Sequence, residues 1–134
     1  MELQEFEVKL DTTVKQLFEE SLPKYYKHTL KVVSNMKKIY GESPNKIILL
    51  AAAYLHDIGY SLPYQDGFIG EIEDQHLKID VHCREGSEFA RKILNDLGVE
   101  SSIVDRVAYL VKEHHNKEIN DEDLQLLISA DKVQ

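Results

Sequence analysis

His56 and Asp57 stand side by side at the end of an apolar run, Ile47 to Leu55, that carries almost no polar side chain. A neutral imidazole beside an ionised carboxylate is a good ligand pair for a divalent transition ion. The three alanines at 51–53 suit a helix buried on most of its faces better than a strand. The pair then projects from the helix C-terminus, where the negative end of the macrodipole favours a cation. Gly59 supplies the expected stop, because glycine accepts the left-handed C′ conformation without a Cβ clash. Taken alone, such a dipeptide is more often two helix-end groups hydrogen-bonded to backbone. The other histidines change that reading.

The elements that must position them follow from periodicity. A first helix is expected near residues 12–22, capped by Thr12 or Thr13, with Val14, Leu17, Phe18 and Leu22 on its apolar face. Pro23 opens a second, running to about Tyr40, with Tyr26, Leu30, Val33, Met36, Lys37 and Tyr40 as periodic positions, Lys37 the polar exception, and Gly41 as terminator. It carries His28, which by itself reads as a surface or partly buried histidine. Ser43-Pro44 opens the third helix, which ends at His56-Asp57. Periodicity is lost from Tyr60 to about Asp80, where Pro63, Gly67 and Gly70 interrupt any regular element. So long a loop in a small domain is more often functional than idle, and it reads as a lid or wall. His76, at its end, reads as a solvated loop histidine.

Helical spacing returns from Val81 to Leu97, with Phe89, Ala90, Ile93, Leu94 and Leu97 on one face and Gly98 closing it. His82 and Arg84 lie in or just before its first turn, and Gly86-Ser87 permits close approach of a neighbouring helix. The next helix runs from Ser101 or Ser102 to His115, placing His114-His115 at another C-terminus, with Asn116 as a left-handed cap. Asn120 leads in the last helix, which carries Asp131 and stops three residues later. That ending is abrupt for a helix bearing a site residue, as though the chain were cut short.

With 134 residues the chain is expected to form one domain, residues 1–134, with one core. Hydrophobic content of 43% and charged content of 30% describe an ordinary soluble globular protein. The net charge of −8 disfavours a large nucleic-acid surface or an anionic membrane as partner. It still admits a small phosphorylated ligand where metal ions reverse the local field. The single cysteine, Cys83, precludes an intrachain disulfide and fits a reducing cytoplasm. The N-terminus is acidic and lacks the apolar segment of a secretory signal, and no run approaches the roughly 20 residues a membrane helix needs. A cytoplasmic location is expected, and a homodimer is compatible with the chain.

In order the residues read His28, His56-Asp57, His82, His114-His115 and Asp131. This ordered set resembles the HD-domain superfamily of metal-dependent phosphohydrolases, whose signature is a His, a His-Asp doublet and a distant Asp. Ala53 to Gly59, His82 with Glu85-Gly86-Ser87, and Ala130-Asp131-Lys132 strengthen the likeness, which spans His28 to Asp131. The resemblance implies an all-α fold, a compact HD-domain-like bundle of five to six helices, in which His28, His56, Asp57 and Asp131 bind one metal. The extra histidines match the two-metal branch, in which Asp57 bridges and His82, His114 and His115 complete a second site. It differs from the cyclic-dinucleotide subgroup, since Asn116-Lys117-Glu118 replaces a Gly-Tyr-Pro signature. It also differs from the dinucleoside polyphosphate hydrolases, which more often carry a hydroxyl residue at the position of His115.

The expected reaction is hydrolysis of a phosphoester or phosphoanhydride in a nucleotide or similar small phosphorylated metabolite. A metal lowers the pKa of bound water to about 7, and two ions about 3.5–4 Å apart clamp attacking and leaving oxygens. Imidazole and carboxylate donors suit one or two ions of iron, manganese, cobalt, nickel or zinc. Asp57 and Arg84 are the expected catalytic groups, Arg84 because a planar guanidinium matches phosphate oxygens in pairs. Lys31, Lys112 and Lys117 read as solvated charges. A Cys83–His82 dyad is not expected, since adjacent helical residues diverge. The alternative is a non-catalytic HD module that keeps the metal for ligand binding or regulation.

Overall fold

The computed structural model describes residues 2–19, 23–61 and 74–132, without the side chains of residues 75–78. Those residues form six α-helices and one 3-10 turn, with no strand among them: α1 (Leu3–Glu19), α2 (Pro23–Ile39), α3 (Lys46–Leu55), the 3-10 turn (Ile58–Ser61), α4 (Gln75–Asp96), α5 (Ser101–Glu113) and α6 (Glu122–Lys132). The expected all-α bundle is the one observed.

α3 is the hub. Every residue from Leu49 to Leu55 is buried, and the helix packs against α1, α2, α5 and α6. An apolar run of this kind is hydrophobic all round because it has neighbours all round. Each fully buried leucine contributes about 1.5–3 kcal/mol over its exposed form, so Leu49, Leu50 and Leu55 anchor the helix that delivers His56-Asp57. Around the hub, α4 packs on α5 and on the 3-10 turn, while α6 packs on α2.

Several boundaries differ from expectation for identifiable reasons. α1 begins at Leu3 rather than near residue 12, because Phe6, Leu10, Val14 and Phe18 form one continuous buried stripe. Thr12 and Thr13 are therefore mid-helix, and their hydroxyls donate to the carbonyls of Val8 and Lys9 instead of capping. On α2 the buried face is Thr29, Val32, Val33, Asn35 and Met36, and Leu30 is exposed. Lys37 pairs with Glu7 at 2.6 Å, which accounts for the polar break in the stripe. Gly41 takes positive φ after α2, and Gly98 after α4, as expected of terminators.

Ser43 does not cap α3 directly. Its hydroxyl accepts the backbone N–H of Asn45 in a turn, and the helix starts at Lys46. α4 begins at Gln75, so the irregular stretch does not reach Asp80. Residues 62–73, most of that stretch, and the side chain of His76 lie outside the described residues. α5 ends at Glu113, and His114-His115 occupy the turn beyond it. Asn116 is not left-handed; its backbone N–H donates to Glu113. Asp121 rather than Asn120 caps α6, accepting the N–H of Leu124 at 3.0 Å and Arg106 Nη2 at 2.7 Å.

Gly59 is not a left-handed stop either, because φ is positive only at Gly41 and Gly98 among the described residues. What requires glycine is the contact with α4. A Cβ at Gly59 would stand 2.7 Å from the carbonyl oxygen of His82, 3.0 Å from its Nδ1 and 3.2 Å from the N of Gly86. A Cβ at Gly86 would in return stand 3.3 Å from the N of Gly59, the close approach the Gly86-Ser87 pair suggested. Gly59→Ala is expected to lower stability by about 1–3 kcal/mol through overpacking against backbone, read as a lower denaturant midpoint. Gly86→Ala should cost clearly less, and equal costs would contradict the clamp.

Candidate metal centre

Two groups of side chains meet at Asp57. In the first, His28 comes from the second turn of α2, His56 from the C-cap of α3 and Asp131 from the last turn of α6. His28 Nε2 lies 2.9 Å from Asp131 Oδ1 and 3.6 Å from Asp57 Oδ2. His56 Nε2 lies 3.3 Å from Asp57 Oδ2, 3.4 Å from Asp131 Oδ1 and 3.4 Å from His28 Nε2. Donors about 2.0–2.2 Å from one ion stand about 3 Å apart, so the spacing fits a metal. Asp131 joins the group through the two imidazoles. Its helix turn is held in place by Asn35, whose Nδ2 donates to the Ala130 carbonyl at 3.0 Å.

The second group faces the other oxygen of the same carboxylate. His82 Nε2 is 3.1 Å from Asp57 Oδ1 and His114 Nε2 is 3.9 Å from it. His82, Cys83, His114 and His115 offer ligand atoms that all lie within 4.8 Å of one another. Among the described residues His82 Nδ1 and His114 Nε2 are buried without a hydrogen-bond partner, an unusual state for polar atoms in a native interior. His82 Nδ1 faces Gly59, but a cation would satisfy His114 Nε2, and the donor set suits one.

Ring orientation is built into the backbone. His56 Nδ1–H donates to the Ala53 carbonyl at 2.8 Å, and His114 Nδ1–H donates to Val111 at 2.5 Å. A carbonyl accepts only, so each contact fixes a protonated Nδ1 and turns Nε2 toward Asp57. His82 has no such anchor; its ring stacks instead on Tyr60, with centroids 3.8 Å apart and planes 16° from parallel. Tyr60 in turn stacks on Tyr25.

The two groups differ in proton content. Burial alone would lower His56, but Asp57 and Asp131 outweigh it and raise its pKa to about 10. Burial works against ionised Asp57 and Asp131 too, yet the surrounding imidazoles hold both below the usual carboxylate range. His114 is pushed down to about 3, by burial and then by His56 and His115, and is neutral at working pH. His115 is lowered as well, by burial and by His82. Burial, then Asp57, raises the Cys83 thiol to about 12, which rules it out as a free nucleophile in the metal-free protein.

All seven residues expected to bind metal lie in these two groups. Arg84 does not join them: it is 59% exposed in its side chain and 3.9 Å from Glu85. With Asp80, Cys83, Lys112 and Glu113 it lines a depression of about 200 Å³. Lys112 and Lys117, both exposed, border a wider cleft that includes Cys83 and His115. Sequence reasoning missed the position of Cys83 in the second group. The signal was present, because the buried stripe Leu94, Ala90 and Ser87, continued back one turn, passes through Cys83.

The HD domain family model matches residues 25–134. No curated protein and no solved structure matches the chain significantly.

The proton on His56 predicts how metal affinity varies with pH. His56 has a folded pKa above the ordinary 6.5, so below about 10 an incoming ion must displace its proton. Apparent affinity at the first group should rise by about one decade per pH unit from neutrality upward. Titration calorimetry in buffers of different ionisation enthalpy should count one proton released there and none from His114. A pH-independent affinity would contradict the charged state of His56.

Proposed function

The chain belongs to the HD-domain family of metal-dependent phosphohydrolases, and from that premise we propose that it hydrolyses a phosphoester or phosphoanhydride in a small phosphorylated metabolite of the nucleotide class. The observation that carries this reading is the division of the Asp57 carboxylate, Oδ2 toward His28 and His56 and Oδ1 toward His82 and His114. A carboxylate so placed is the natural bridge between two ions. His28, His56, Asp57 and Asp131 would hold one ion, and Asp57, His82, His114 and His115 the other. Bound there, divalent transition ions supply Lewis acidity, activating water at neutral pH and neutralising phosphate charge.

The protein's own groups account for the rest. The anchored Nδ1–H groups of His56 and His114 hold the donor atoms in place before any ligand arrives, which limits reorganisation. His28 and Asp131, 31% and 25% exposed in their side chains, form the edge of the first group nearest solvent. Arg84 carries a solvent-facing guanidinium on the helix that presents His82, suited to bind a phosphate oxygen pair. In the absence of bound ions the net charge of −8 repels an anionic substrate. Metal occupancy is therefore required for binding as well as for chemistry.

The test is elemental analysis of protein purified without chelator or His-tag, followed by turnover on a panel of nucleotides and polyphosphates. Two equivalents of transition metal per chain and hydrolysis of at least one panel member are expected. Asp57→Ala should lose both ions and reduce turnover about 10³-fold or more, while its apolar helix keeps the protein folded by circular dichroism. Arg84→Ala should raise KM about tenfold or more with kcat little changed. Full metal occupancy in Asp57→Ala would refute the bridge. Stoichiometric metal with no turnover on any phosphorylated compound would favour a regulatory module.

A further inference from the structure

We propose that Cys83 is itself a metal ligand, its thiolate joining His82, His114 and His115 around the second ion and making that position selective for zinc, cobalt(II) or iron(II) over manganese and magnesium. The inference rests on the reading of the second group as a metal site and adds a donor of different chemistry to it.

Geometry is the first support. Cys83 Sγ lies 4.0 Å from His114 Nδ1, and the four ligand atoms are mutually within 4.8 Å. Thiolate at about 2.3 Å and imidazole at about 2.0–2.1 Å from one ion are separated by about 3.5 Å, so side-chain movements of about 1 Å close the shell. The backbone that carries the sulfur is fixed: His82 and Gly86, on either side of it, are both clamped against Gly59. Because His114 Nδ1–H is committed to the Val111 carbonyl, His114 would bind through Nε2, and the 4.0 Å contact to Nδ1 places the sulfur at the edge of that ring.

A second support is independent of the sulfur. One buried nitrogen that faces the Asp57 centre, His114 Nε2, has no hydrogen-bond partner among the described residues. Such an atom costs about 1–3 kcal/mol of desolvation when nothing binds it. The thiol is also buried, at 5% exposure, in the same group. A buried nitrogen and a buried thiol, with His82 and His115 beside them, make a site that a cation completes.

Binding breaks the Sγ–H bond. The proton leaves to solvent and the sulfur electron pair forms the bond to the ion, so no oxidant or reductant is needed. Soft thiolate selects zinc or iron(II), whereas magnesium and manganese prefer oxygen. The first group, with only imidazole and carboxylate donors, has no such preference for soft ions. The two positions therefore load differently from a mixture of metals.

Cobalt(II) titration of the metal-free protein tests this without reference to activity. The second equivalent should bring up a thiolate-to-cobalt charge-transfer band in the near ultraviolet, and the zinc form should show a sulfur scatterer at about 2.3 Å by X-ray absorption. Cys83→Ser should abolish both signals and weaken the second equivalent about tenfold or more while the first binds as in the wild type. The wild-type spectrum alone decides the matter should the variant fold poorly. Two bound equivalents with no sulfur signal would overturn ligation by Cys83 and leave the two-ion centre standing. A single equivalent with no second binding event would overturn both.

Discussion

The carboxylate of Asp57 is the constraint on which the rest of the molecule depends. It is only 13% exposed, and an ionised carboxylate taken out of water costs several kcal/mol unless partners surround it. Those partners come from α2, α3, α4 and the end of α5. α3 delivers Asp57 and His56, α2 brings His28 to Oδ2, and α4 and the end of α5 bring His82 and His114 to Oδ1, while Asp131 on α6 meets the imidazoles of His28 and His56. α1 supports the arrangement from behind, where Glu7 accepts the Tyr54 hydroxyl at 2.9 Å and binds Lys37 at 2.6 Å. The bundle is thus a device for holding imidazoles around one buried charge.

Much of this was legible in the residues. The buried run before His56-Asp57, the glycine after α2 and the histidines at two helix ends all follow from local spacing and chain termination, whereas His82, expected in a first turn, lies well inside α4. The ordered ligand set was legible as a family pattern, and the chain folds those residues into two groups. What spacing alone did not disclose is tertiary. Gly59 looks like a helix stop, but its requirement comes from the carbonyl of His82 and from Gly86 on α4, far along the chain. Asp121 looks like one more acidic residue until Arg106 and the N–H of Leu124 converge on it. Cys83 was set aside because neighbours on a helix diverge. That argument holds for a pair, yet His114 and His115, in the turn after α5, come within reach of both.

The halves of the centre are asymmetric in charge. At neutral pH the first group is a charged lattice, His56 protonated between two carboxylates. In the second group His82 pairs with Asp57, but His114 is neutral and its Nε2 has no hydrogen-bond partner among the described residues. A proton thus stands in for the metal at His56, while nothing does so at His114. The second half is therefore the part of the bundle most stabilised by occupancy, because a ligand that binds only the folded state stabilises it.

This asymmetry bears on how a phosphorylated ligand would be admitted. The cleft beside His115 carries Lys112 and Lys117, but Asp74, Asp80, Glu113 and Glu118 share its walls. Carboxylates outnumber cations there, so an anion approaching the empty centre meets a repulsive field. In the proposed chemistry, two divalent ions at the Asp57 centre would reverse that balance and become the largest local charges there. Under the proposed chemistry the order of binding then follows from charge, metal before substrate. Under that chemistry the lysines would act as secondary contacts only once the ions had changed the sign of the site.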